Sequence, residues 1–105
     1  MIAIIDYGVG NLFSLKSSFN AIGADITVTD NEEIIRSADK IILPGVGAFS
    51  DAIAKLRATG LDKVLIDEAQ KGKPVMGICL GMQMLFEKSY EYGEFDGLGL
   101  LKGNV

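Results

Sequence analysis

The sequence contains no histidine and no tryptophan, and it has only one cysteine and two prolines. The single cysteine, Cys79, excludes a framework of internal disulfides and suits a reducing compartment. No apolar run approaches the roughly 20 residues of a membrane span, and the N-terminus lacks the basic start of a signal peptide. We therefore expect a cytoplasmic protein that does not enter a membrane.

Positive charge is scarce as well. Ten Lys and Arg residues against 14 Asp and Glu residues give a net charge of −4, and the basic residues form no stripe. This balance argues against a partner with a phosphate backbone, so we expect no nucleic acid ligand. With 49% hydrophobic and 23% charged residues the chain is globular, and its 105 residues allow one domain at most.

Four short apolar runs alternate with segments of helical periodicity. The runs cover residues 2–5, 25–29, 40–43 and 74–78, and the first, third and fourth are followed by glycine- or cysteine-containing corners. Alternating strands and helices predict an α/β fold with an open, mostly parallel sheet and helices on both faces. In such sheets ligands bind at the carboxyl ends of the strands.

Cys79 occupies a predicted corner between the fourth strand and a helix over residues 80–86. Gly77 and Gly81 flank it at two residues on either side. A nucleophile elbow has this pattern, because the strained corner closes only if its neighbours lack side chains. A helix N-terminus beside the thiol favours negative charge there. We expect Met82, Leu85 and Phe86 to form the apolar face of the helix.

Two glycine loops follow the first and third strands, at the same sheet edge as Cys79. Residues 7–11 resemble the start of a dinucleotide fingerprint, but Phe13 occupies the third glycine position, which favours a plain βα turn. Residues 44–47, Pro-Gly-Val-Gly, could also be a plain turn. Because they share the edge with the elbow, we expect them to supply an oxyanion donor alongside the Leu80 amide. The following helix has Ser50 or Asp51 as its predicted cap.

The stretch Gly-Ile-Cys-Leu-Gly-Met-Gln, residues 77–83, resembles the nucleophile motif of class I (triad) glutamine amidotransferases. Together with residues 6–11, residues 44–49 and Leu-Phe-Glu at 85–87, it resembles the glutaminase subunits of imidazole glycerol phosphate synthases. The similarity extends through all 105 residues. It implies one flavodoxin-like amidotransferase domain, of which residues 1–105 form the N-terminal half.

The resemblance also implies roles for individual residues. Cys79 would take the γ-glutamyl group of glutamine as a thioester, and Leu80 with Val46 or Gly47 would form the oxyanion hole, after a peptide flip. Gln83 and Glu91 would hold the substrate. An interface loop would contact a (βα)₈-barrel cyclase subunit in a heterodimer that makes imidazole glycerol phosphate in histidine biosynthesis; it comprises Gly8, Val9, Gly10 and Asn11. No metal or organic cofactor is implied.

The absence of histidine bears directly on this expectation. A thiol nucleophile generally uses a neighbouring base, and the family's His-x-Glu pair lies well downstream of its cysteine. We therefore expect the 105 residues to be inactive alone, with an open sheet edge through which they self-associate.

Three alternatives to this interpretation remain. Another class I amidotransferase would share the elbow but not the Tyr-Gly-Val-Gly-Asn loop. A redox or chaperone-like relative would need a carboxylate beside the thiol, for which Asp6 is the only early-strand candidate. A binding or assembly module would have an inert Cys79.

Overall fold

The computed structural model describes residues 1–105 and contains a four-stranded parallel sheet. The strands follow the order β2-β1-β3-β4 across the sheet, with β1 at Ile2–Ile5, β2 at Ile26–Thr29, β3 at Lys40–Leu43 and β4 at Val75–Gly77. In β1, Ile4 lies opposite Val28 on one side and Ile42 on the other. The predicted α/β class is confirmed.

Five helices connect the strands. They are α1 at Leu12–Ala21, α2 at Glu32–Ser37, α3 at Phe49–Thr59, α4 at Leu61–Gln70 and α5 at Leu80–Met84. The chain steps from β1 to β2 in one direction and from β2 to β3 in the other, so right-handed crossovers place α1 and α2 on opposite faces. None of these helices is long and apolar enough to cross a membrane.

The two faces of the sheet are covered unequally. A cluster of 19 buried apolar residues joins alternate strand residues, such as Ala3, Ile5 and Leu43, to helices α2–α5. Helix α1 contributes no buried residue, and its Phe13 side chain is 82% exposed. Strand β4 pairs only with β3 and leaves Met76 48% exposed. The main core therefore lies on one side of the sheet.

The region after Cys79 differs from the predicted pattern. Helix α5 ends at Met84, and Met84 is fully buried, whereas the predicted core residue Met82 is largely exposed. The prediction for Met82 was wrong because the short helix turns a different face inward. A small antiparallel hairpin follows, with β5 at Lys88–Ser89 and β6 at Phe95–Asp96, which the sequence pattern did not predict.

The amino end of the sheet is held by ion pairs. Glu68, almost fully buried, lies 2.7 Å from Lys73 Nζ and 2.9 Å from Arg36. Hydrogen bonds from Lys73 first, and then from Lys71, lower the pKa of Glu68 to about 2 against the opposing effect of burial. The terminal ammonium of Met1 lies 2.6 Å from the Asp39 carboxylate at the same end. The first group ties the start of β4 to α2 and α4, and the second ties the start of β1 to the start of β3.

Candidate active site at the carboxyl edge

Cys79 forms the corner between β4 and α5, and its backbone there is strained. Its φ is +55° and its ψ is −120°. Only one other residue that is not glycine has a positive φ. Such angles are costly for a residue with a Cβ, by about 1–3 kcal/mol, and persist only where the surroundings impose them. The thiol is free and the residue is exposed. The corner thus presents an accessible sulfur.

Glycine at two neighbouring positions is imposed by direct contact. A Cβ on Gly77 would lie 2.4 Å from Met82 Cα, and a Cβ on Gly81 would lie 1.9 Å from the Leu43 carbonyl oxygen. Both distances are far below van der Waals contact, so the strand and the helix approach this closely only because neither residue has a side chain. The start of α5 therefore packs closely against the end of β3.

The loop from Pro44 to Gly47 lies against the corner at Cys79. A Cβ on Gly45 would lie 2.7 Å from the Gly81 amide nitrogen, so the two backbones touch. Val46 and Gly47 are exposed, and their amides donate to no acceptor within the chain. As the first residue of α5, Leu80 also has an amide without an intrahelical acceptor. Amides without an acceptor therefore occur both at the start of α5 and in the loop after β3.

The first glycine loop reaches the same place. A Cβ on Gly10 would lie 3.0 Å from the Pro44 ring, and Asn11 caps α1 by accepting a hydrogen bond from the Ser14 amide. Together the loops and α1 enclose a cavity of about 190 Å³, lined by Asn11, Ser14, Leu15, Ser18, Pro44, Gly45, Val46, Ile78 and Cys79. The cavity opens at the switch point between β1 and β3, where open α/β sheets bind ligands.

Gln83 and Glu91 do not line this cavity. Gln83 is partly buried on α5, one turn after Cys79. The Glu91 carboxylate accepts a hydrogen bond from the Phe49 amide through Oε1, at 3.2 Å, and its Oε2 makes none. Glu91 thus caps α3, which has no side-chain cap from its own Ala48. The prediction that Ser50 or Asp51 caps this helix was wrong.

Tyr7 is a site residue that the sequence pattern did not single out. Its hydroxyl donates to the Pro44 carbonyl oxygen at 2.5 Å and lies 3.5 Å from Met84 Sδ. Burial raises the pKa of Tyr7 to about 12, so the hydroxyl keeps its proton and acts as a donor. A large polar aromatic directly after a buried strand, at the ligand-binding edge, was the available signal.

Asp6 makes its hydrogen bond within its own loop. Its carboxylate accepts from the Gly8 amide at 3.3 Å, and it does not line the cavity. A redox or chaperone-like site would need a carboxylate beside Cys79, so this arrangement does not favour that alternative.

Comparisons with known proteins agree with the geometry. Residues 3–105 match the family described as the CobB/CobQ-like glutamine amidotransferase domain. Imidazole glycerol phosphate synthase subunit HisH of Oceanobacillus iheyensis is 54% identical over all 105 residues, which cover 52% of that protein. The subunit of the same name from Sulfurimonas denitrificans is 50% identical, with 51% of it covered. The chain therefore spans about half the length of the curated relatives it matches.

A solved structure supports the fold independently of close sequence similarity. A protein described as a glutamine amidotransferase superimposes with a TM-score of 0.82 at 19% identity, over 99% of this chain and 55% of that one. The α/β fold is thus shared with a structure whose sequence has diverged widely.

Proposed function

The chain belongs to the CobB/CobQ-like glutamine amidotransferase domain family, and from that premise we propose that it is part of the glutaminase subunit of an imidazole glycerol phosphate synthase. Residues 1–105 would form the N-terminal half of a single amidotransferase domain. Identity of about 50% to two subunits of that enzyme along the whole chain supports this assignment. Both matches cover about half of the relative.

The observation on which the proposal rests is the geometry of Cys79. A strained, exposed thiol at the start of a helix faces a loop whose amides have no acceptor. The thiolate would attack the side-chain amide carbon of glutamine and form a C–S bond. Negative charge would build on the amide oxygen, which the Leu80 amide and the Val46 or Gly47 amide would stabilise. Loss of ammonia would leave a γ-glutamyl thioester, which water would hydrolyse to glutamate.

The remaining roles follow from the resemblance. Gln83 and Glu91 would hold the glutamine substrate. Residues 8–11 would contact a (βα)₈-barrel cyclase subunit in a cytoplasmic heterodimer, and that subunit would consume the ammonia. A base must take the thiol proton and an acid must protonate the leaving ammonia. No histidine is present among the 105 residues, so the base would come from outside them.

Two measurements test the proposal. The complete gene product that contains this chain, assembled with a cyclase subunit, should release ammonia from glutamine, and Cys79→Ala should abolish the release. The 105-residue chain should release none by itself. Its Cys79 should still be alkylated faster by an electrophilic L-glutamine analogue than by the D-enantiomer. Equal labelling by both enantiomers, together with an inactive complete protein, would favour the binding module with an inert cysteine.

We also propose that the isolated chain self-associates through β4. This strand has one neighbour and an exposed Met76, and an unpaired parallel edge is a template for another strand. Light scattering should show a mass that rises with concentration, and a monomer at all concentrations would contradict the proposal.

A further inference from the structure

The middle of the loop after β3 has no hydrogen bonds, whereas both of its ends are bonded. The amides of Gly45, Val46 and Gly47 have no acceptor in the chain. The Val46 side chain is 55% exposed, and Gly47 has a φ of +89° with open space where a Cβ would lie. No hydrogen bond within the protein therefore fixes the orientation of the Val46–Gly47 peptide.

The first end of the loop is held by Tyr7. The Tyr7 hydroxyl donates to the Pro44 carbonyl oxygen. The hydroxyl oxygen also lies against the sulfur of Met84 in α5. Only 5% of Tyr7 is exposed, so its hydrogen bond to Pro44 is shielded from water. One hydroxyl thus links the start of the loop to β1 and to α5.

The second end is held by Glu91. Its Oε1 accepts from the Phe49 amide, 42 residues earlier in the chain, where α3 begins. Glu91 is itself fixed, because its amide donates to the hydroxyl of Ser89, which is buried in β5. A carboxylate at a helix N-terminus also interacts favourably with the helix dipole. The hairpin therefore sets the position of the residue that ends the loop.

Resting on the proposed function, we propose that Tyr7 and Glu91 are positioning residues for the oxyanion hole. They fix the loop at Pro44 and Phe49, so the peptide between them can turn an N–H towards the oxyanion while its ends stay in place. Neither side chain touches the reacting atoms in this role. The second carboxylate oxygen of Glu91, Oε2, makes no hydrogen bond and would bind the α-ammonium group of glutamine. The same carboxylate would then both bind the substrate and hold the loop in position.

The kinetic test uses the complete gene product assembled with its cyclase subunit. Tyr7→Phe should lower kcat for glutamine hydrolysis about 10- to 100-fold with little change in KM. The displaced loop amide would stabilise the oxyanion less well, and the oxyanion forms only in the transition state. Glu91→Ala should lower kcat and raise KM. Glu91→Gln keeps an oxygen acceptor for Phe49 but loses the charge, so it should restore kcat while KM stays high.

Matched controls are Tyr92→Phe and Glu33→Ala, which alter exposed side chains that make no hydrogen bond. Both should leave kcat and KM within twofold. The positioning role is overturned if Tyr7→Phe also stays within twofold, or if Glu91→Gln has the same low kcat as Glu91→Ala. Should Tyr7→Phe fail to fold, the Glu91 pair decides the outcome alone.

A second readout separates this inference from the proposed function. Amide exchange by NMR on the 105-residue chain needs no activity. In Glu91→Ala the Phe49 amide should exchange at least tenfold faster, and Glu91→Gln should restore most of the protection. An inactive wild-type enzyme with this exchange pattern would contradict the proposed function but would still support the role of Glu91 in holding Phe49. Unchanged exchange of the Phe49 amide in Glu91→Ala would show that Glu91 does not hold the loop at Phe49.

Discussion

The two ends of the sheet are built by different means. At the amino end, charged side chains such as Glu68 and Lys73 bind one another and tie strands to helices. At the carboxyl end, glycine backbones touch, Cys79 has a strained conformation, and several amides lack acceptors. Paired charges therefore contribute stability at the amino end, whereas the carboxyl end keeps a strained residue and amides without acceptors.

The largest expected effect is at the carboxyl end. Gly81→Ala would place a methyl group 1.9 Å from the Leu43 carbonyl oxygen, and neither backbone can yield easily. We expect a loss of about 3 kcal/mol or more in the free energy of unfolding, measured by urea denaturation. Gly72→Ala, at the other end, has a positive φ but open space, so it should cost only about 1–2 kcal/mol. Equal losses would contradict the close contact.

The next effect tests the amino end and depends on pH. The folded-state pKa of Glu68 is about 2, below its ordinary 4.5, so its stabilisation is present above pH 4.5. That stabilisation is lost as the pH falls towards 2. Glu68→Gln should therefore be less stable than wild type at pH 7, and the gap should close between pH 4.5 and 2. Glu33→Gln, on the exposed start of α2, should show no such closing gap.

A smaller effect of opposite sign is expected at the corner. Cys79→Gly should raise the free energy of unfolding by about 1 kcal/mol, because glycine adopts a positive φ without strain. Cys79→Ala keeps the Cβ and should stay within about 0.5 kcal/mol of wild type. A destabilised Cys79→Gly would show that the corner is held by the thiol and is not strained.

The smallest effect is expected in the middle of the loop. Val46→Ala removes a mostly exposed side chain from a segment without hydrogen bonds, so stability should change by less than about 0.5 kcal/mol. A loss above 1 kcal/mol, measured by the same urea denaturation, would mean that the free part of the loop is in fact fixed.

Local patterns were sufficient to predict the framework and the meeting of the loops. Apolar runs located all four strands, and the parallel topology brought Cys79 to the same edge as Pro44 and Gly10. The Tyr7 hydroxyl bond to Pro44 was not predictable in this way, because it joins residues 37 positions apart whose separation only the folded sheet defines. The cap on Phe49 was missed for the same reason, since Glu91 reaches it from an unpredicted hairpin.

The backbone angles of Cys79 also limit which side chains fit at this position. A positive φ is tolerable for an unbranched side chain but is a severe outlier for a β-branched one. Serine differs from cysteine by one atom and fits the same corner, whereas the second branch of threonine would clash with the adjoining backbone. The backbone conformation of the corner therefore accepts serine and cysteine but excludes threonine, whatever the reactivity of each side chain.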